Sequence, residues 1–228
     1  MESKKLLVTA SPHLTDGSST MGLMVHVIIA LVPAWIASVL IFGLRALAVS
    51  AVTVIACVVF EALYNILMKK PQTIGDCSAV VTGIILAFNL PASIPLWIAV
   101  VGAFVAIVVT KQLFGGLGMN FANPALVGRI ALFIGFAARM TNYTPPEGAL
   151  DGMASATPLA LAKTQSGIAM LKDLLLGTHP GMLGETCAVA LILGGIYLIA
   201  TKTISPAIPV SYLATVAVMC VLLGQDVV

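Results

Sequence analysis

GLMVHVIIALVPAWIASVLIF (residues 22–42) is followed after three residues by ALAVSAVTVIACVVFEALYNILM (residues 46–68), and these two runs decide the class of the molecule. Each has the length, about 17–25 apolar residues, that carries a helix across the roughly 30 Å hydrocarbon core of a bilayer. Only Gly43-Leu44-Arg45 separates them, so the second run must turn straight back. Working outward, residues 96–114 and 185–201 qualify as spans by the same test, and 205–223 joins them because Pro206 and Pro209 fall in its first turn, where proline is tolerated. Two further apolar segments are short or interrupted: 78–90 ends at Asn89-Leu90-Pro91, and 122–139 opens with Asn123-Pro124 and carries Arg129. Such segments are expected of discontinuous helices that line protein rather than lipid. The expectation is an all-α integral membrane protein, a polytopic bundle of seven segments with short discontinuous helices.

Composition agrees. Of 228 residues, 60% are hydrophobic and 9% charged, and the mean hydropathy is +1.09; a soluble domain runs at about 45–50% and about 25%. The net charge of +2 is small and the basic residues are dispersed, which excludes a nucleic-acid partner of the usual electrostatic kind. Cys57, Cys77, Cys187 and Cys220 form no CxxC pair, and His13, His26 and His179 stand alone, so no metal ligands are assigned and the cysteines read as small apolar residues. The first 20 residues lack the charged-then-apolar pattern of a signal peptide.

Lysines and arginines near helix ends set the orientation. With the N-terminus in the cytoplasm, Lys4, Lys5, Lys69, Lys70, Lys111 and Lys202 lie inside, against Arg45, Arg139, Lys163 and Lys172 outside. The polar loop 140–183 is then extracytoplasmic. An internal repeat is also legible: Gly75-Asp76-Cys77-Ser78-Ala79-Val80 is echoed by Gly184-Glu185-Thr186-Cys187-Ala188-Val189, and Pro91 to Pro95 by Pro206 to Pro209. An odd number of segments separates the copies, so the repeat is expected to be inverted, with a site between its halves. This divides the chain into a first membrane repeat (1–139), a loop (140–183) and a second repeat (184–228) that matches only part of the first and so reads as incomplete.

Chemistry is expected at few places. In the loop, Asp151-Gly152 is turn chemistry, and Thr157 before Pro158 is biased towards extended backbone that presents its hydroxyl outward; an ordinary surface turn explains the same residues. Residues 115–124, GGLGMNFANP, join three glycines to Asn120 and Asn123, either as a ligand-approaching loop or as a helix break. No Gly-Lys-Ser/Thr follows, so it is not a phosphate loop of the Walker type. Glu61 lies within an apolar helix, where it either snorkels to the interface or serves a proton or cation. Asp76 and Glu185 are expected to cap the helices that follow them.

Several of these stretches together resemble one family. Ser11-Pro12-His13, the run from Gly75 to Gly83, Lys111-Gln112-Leu113-Phe114-Gly115-Gly116-Leu117-Gly118 with Asn123-Pro124-Ala125, and Gly184-Glu185 with Gly194-Gly195 resemble the D subunit of Rnf electron-transport complexes. They resemble, less closely, the B subunit of sodium-pumping NADH:quinone reductases. The resemblance runs over essentially the whole chain. It implies a fold similar to the inverted-repeat urea transporters, a place in the plasma or inner membrane, and a role relaying electrons in a complex that couples ferredoxin oxidation and NAD reduction to Na⁺ or H⁺ translocation. It also implies a subunit that is not catalytic alone. In that family a loop threonine carries FMN through a phosphoester attached by a flavin transferase, in a pattern close to Asp-x-x-Ser/Thr-Gly-Ala-Thr. Asp151, Ala156 and Thr157 match it; Ala154 and Ser155 depart from it. By the same resemblance the cofactor residues are Thr157 (the covalent site), Asp151 and Ser155, with Asn120 and Asn123 lining a second, riboflavin site. The implied partners are a flavoprotein G subunit, iron–sulfur subunits B and C, and membrane subunits A and E. Against this stand a solute channel of the same architecture without flavin, and a purely structural membrane subunit.

Overall fold

The computed structural model describes residues 19–143, 175–177 and 179–222. Every element among them is helical. Helix α1 (Thr20–Phe42) starts where the Ser19 hydroxyl accepts the Gly22 N–H, and it ends at Gly43, whose φ of 68° lets the chain reverse at once into α2 (Leu44–Leu67). At 23 and 24 residues these are long enough to cross a bilayer. The remaining apolar helices are shorter: α3 (Ser78–Phe88), α4 (Leu96–Phe104), α5 (Pro124–Gly135), α6 (Ala137–Met140), α7 (Ala188–Ala200) and α8 (Ala207–Leu222). All seven expected segments are helical. The expected segment 122–139 is broken at Phe136 (φ −135°, ψ 42°) into α5 and α6, a break with no proline or glycine at the residue itself.

The short helices are held inside the bundle. Eight of the 11 residues of α3 are buried, against α1, α2 and α5. At about 16 Å it covers half the hydrocarbon core, and its last carbonyls would be orphans there. Asn89 serves the Ile85 and Leu86 carbonyls and the Leu90 N–H that of Ala87, and the chain ahead of α7 supplies the rest: Gly184 N–H donates to Phe88 O (2.9 Å) and Leu183 N–H to Leu90 O, just past the helix (3.1 Å). This approach requires glycine, since a Cβ on Gly184 would overlap the Phe88 side chain. Small residues serve again where α1 meets α7: a Cβ on Gly194 would overlap the Ala30 carbonyl oxygen, the close backbone approach of membrane helix pairs.

Two ends of the bundle can be told apart. At one, Met140 packs with Phe42, Val49 and Ile94, and Ser93 donates to Asn142 O, so the chain leaves α6 at the end where α1 stops and α2 begins. At the other, α2 ends, α3 begins and α4 finishes. The start of α1 lies there too, since His26 bonds Tyr197 near the end of α7. The chain therefore passes Tyr143 at the end of the bundle opposite the start of α1.

Candidate functional site

A run of buried polar side chains lies at that second end. Helix α4 does not stop as an α-helix; Val105–Gln112 widens into a π-helical segment. Leu113 N–H bonds Val108 O five residues back (3.1 Å), and the Thr110 hydroxyl donates to Val105 O, also five back (3.1 Å). Such bulges in an α-helix are often sited at functional positions. Here it delivers two consecutive side chains, Lys111 and Gln112, to one carboxylate.

That carboxylate is Glu61, fully buried on α2. It lies six residues before Leu67, about 9 Å from the helix end. Lys111, 2% exposed, places its ammonium 2.9 Å from Glu61 Oε1, 3.0 Å from Oε2 and 2.6 Å from Ser78 Oγ, so its three N–H donors find three oxygens. Glu61 Oε1 also accepts from Gln112 Nε2 (2.9 Å) and from the Thr73 hydroxyl (2.6 Å), and Asn65 Nδ2 donates to Thr73 Oγ1 (3.1 Å). The Ser78 hydroxyl donates in turn to Asp76 Oδ1 (2.5 Å), which also accepts the Ser78 N–H (2.8 Å). The chain Asp76–Ser78–Lys111–Glu61–Thr73 thus begins and ends on residues that reach the surface, while its middle is sealed. Cys57, one helical turn before Glu61, packs among Ala79, Leu86, Ala103, Ala106, Ile107 and Ala125 as a small apolar residue.

Chemically, the arrangement is a fully satisfied ion pair in a low-dielectric interior. Unpaired, each charge would cost several kcal/mol there; paired and hydrogen-bonded, they hold α2, α3 and α4 in register.

A second polar contact joins the breaks. Arg129 on α5 donates to Asn89 Oδ1 (2.8 Å) at the end of α3 and stands 3.7 Å from Glu185, both charged side chains being partly exposed. Glu185 therefore pairs with Arg129 and caps nothing, which corrects the expectation from sequence; α7 starts three residues later, at Ala188, and its N-cap residue, Cys187, makes no side-chain cap bond. Asp76 does cap, through the Ser78 N–H. Glu61 neither snorkels nor stands alone, and Lys111 is no exposed flank charge but an internal one.

The glycine–asparagine loop is local architecture. Gly115, Gly116 and Gly118 take positive φ (115°, 100° and 84°), Asn120 Nδ2 bonds Ala122 O (2.7 Å), and Asn123 Oδ1 caps α5 through the Ala125 N–H (3.0 Å). Each amide keeps one polar atom outside these bonds, Asn120 Oδ1 as acceptor and Asn123 Nδ2 as donor, so the pair retains the chemistry to bind an isoalloxazine edge. The loop follows Gln112 directly, so it lies level with the end of α2 rather than deep in the bundle. Asp151, Ser155 and Thr157 lie outside the described residues.

Comparison with known proteins adds the family. The model of the NQR2, RnfD, RnfE family matches residues 7–228. The D subunit of a Na(+)-translocating ferredoxin:NAD(+) oxidoreductase complex of Acetobacterium woodii is 47% identical over 232 residues, covering 99% of this chain and 72% of that protein. The D subunit of a proton-translocating ferredoxin:NAD(+) oxidoreductase complex of Clostridium ljungdahlii is 38% identical, covering 93% of this chain and 67% of its own length. The D subunit of an ion-translocating oxidoreductase complex of Rhodobacter capsulatus is 34% identical, covering 95% and 70%.

Proposed function

This chain belongs to the NQR2, RnfD, RnfE family, and we propose that it is the D subunit of an ion-translocating ferredoxin:NAD oxidoreductase complex, relaying electrons through FMN held covalently on Thr157. The observation that carries the subunit assignment is the 47% identity to the D subunit of such an oxidoreductase across 99% of the chain. A subunit of this kind belongs to a membrane oxidoreductase without being catalytic alone. Its partners are the other subunits of the complex: flavoprotein G, iron–sulfur B and C, and membrane subunits A and E. The relatives reported above are oxidoreductase subunits, which favours the redox reading over a solute channel.

The flavin site rests on the Asp151-to-Thr157 pattern. A phosphoester on the Thr157 hydroxyl, made by a flavin transferase, fixes the cofactor without a binding equilibrium, and a flavin when bound supplies one-electron relay. The sidedness of the bundle supports an extracytoplasmic position: the chain passes Tyr143 at the end opposite the start of α1, as a cytoplasmic N-terminus and the loop topology require. The pairing of short helix, proline link and further helix in α3–α4 and again in α7–α8 supports the inverted-repeat, urea-transporter-like reading. A second flavin, riboflavin, is proposed beside Asn120 and Asn123 on the strength of the family resemblance alone.

The test is activity of the assembled complex in membrane vesicles. Thr157→Ala is expected to abolish ferredoxin-dependent NAD⁺ reduction and the accompanying ion uptake while leaving the complex assembled. Unchanged activity would refute an electron path through Thr157.

A further inference from the structure

The Lys111 ammonium sits where a free cation would. Its nitrogen lies 2.6–3.0 Å from three oxygens, both of Glu61 and the hydroxyl of Ser78, and it is 2% exposed. The seat is braced independently of the lysine: Thr73 and Gln112 hold Glu61, and Asp76 orients the Ser78 hydroxyl so that its lone pairs face inward. Among the described residues the charged groups linked into this network are Glu61, Lys111 and Asp76, so with the lysine removed the seat is anionic. A buried carboxylate without its counter-charge must find another cation or take up a proton.

We propose that Lys111 is a tethered cation filling a monovalent-cation site built from Glu61 and Ser78, and that this site accepts a free alkali-metal ion or small alkylammonium when the lysine is absent. The inference stands on the seat's geometry and does not depend on the flavin reading.

The experiment compares the wild-type chain, Lys111→Ala and the double variant E61Q/K111A, purified in detergent and melted in choline, Na⁺, K⁺ or propylammonium chloride at equal ionic strength. Propylammonium replaces the atoms that Lys111→Ala deletes, whereas choline has no N–H and a bulkier head. Lys111→Ala is expected to rise by roughly 5–10 °C in propylammonium, Na⁺ or K⁺ relative to choline, the shift for about a hundredfold excess over Kd. The wild type and E61Q/K111A should show no such difference among salts. A Lys111→Ala protein indifferent to all four salts, or one recovered only as aggregate in every salt, would overturn the proposal. So would a wild type that gains as much, or a response that survives in E61Q/K111A.

Discussion

Breaking the buried pair from one side should cost far more than removing it whole. Lys111→Met deletes the ammonium that gives Glu61 its only contact with a positive group among the described residues, and it leaves a carboxylate with 0% exposure. Thr73 and Gln112 still donate to Oε1, but Oε2 loses the bond it makes to Lys111. Removing one partner of a buried pair typically costs about 3–5 kcal/mol. For a chain of this size that is a fall of roughly 6–20 °C in the unfolding midpoint. Lys111→Met combined with Glu61→Leu removes both charges and fills the space with apolar groups of similar volume. It should recover most of the loss, since such replacements are often neutral or stabilising by about 1–4 kcal/mol. The assay is a double-mutant cycle on the detergent-solubilised protein, with Glu61→Leu as the fourth corner and unfolding followed by intrinsic tryptophan fluorescence. A single variant within about 1 kcal/mol of wild type would refute the reasoning, because the charge would then not be sealed from water. A double variant no better than the worse single would refute it as well.

Two further outcomes follow from the geometry. Gly194→Val should separate α1 from α7, because its Cβ would run into the Ala30 carbonyl oxygen, at a cost of about 1–3 kcal/mol or more in thermal unfolding. Gly195→Val, whose Cβ meets nothing within 4 Å, should melt close to wild type. Cys77, half-buried in the turn before α3, should react with a membrane-impermeant maleimide only in inside-out vesicles once Cys57, Cys187 and Cys220 are replaced by alanine. Labelling in right-side-out vesicles would invert the proposed orientation.

The spans were legible because lipid imposes a length and a composition that no soluble helix needs. The short helices were legible from Asn89-Leu90-Pro91 and Asn123-Pro124, residues that stop or start a helix locally. The break at Phe136 was not, since Gly135 beside it is one of many glycines in these apolar helices and does not by itself signal a stop. Nor was the Glu61–Lys111 pair, whose members are 50 residues apart. Each had an adequate local explanation, snorkelling for Glu61 and an interfacial flank for Lys111, and the π-helical widening that joins them leaves no periodic trace because α4 ahead of it is apolar on every face. The missed signal was positional: by segment count both lie near the same membrane face, and two opposite charges in apolar helices at one depth are candidates to pair. Glu185 misled similarly, because its echo of Asp76 suggested a cap, whereas a long-range partner, Arg129, claims its carboxylate.

A covalent flavin on Thr157, the central claim, is tested most directly on the denatured chain. The protein is produced together with its flavin transferase, unfolded fully in SDS, and compared with Thr157→Ala by in-gel flavin fluorescence and intact mass. The expected result is a fluorescent band heavier than the bare chain by one FMN less one water, and its absence in the variant. A wild-type chain without adduct, from cells whose transferase loads another substrate, would contradict it.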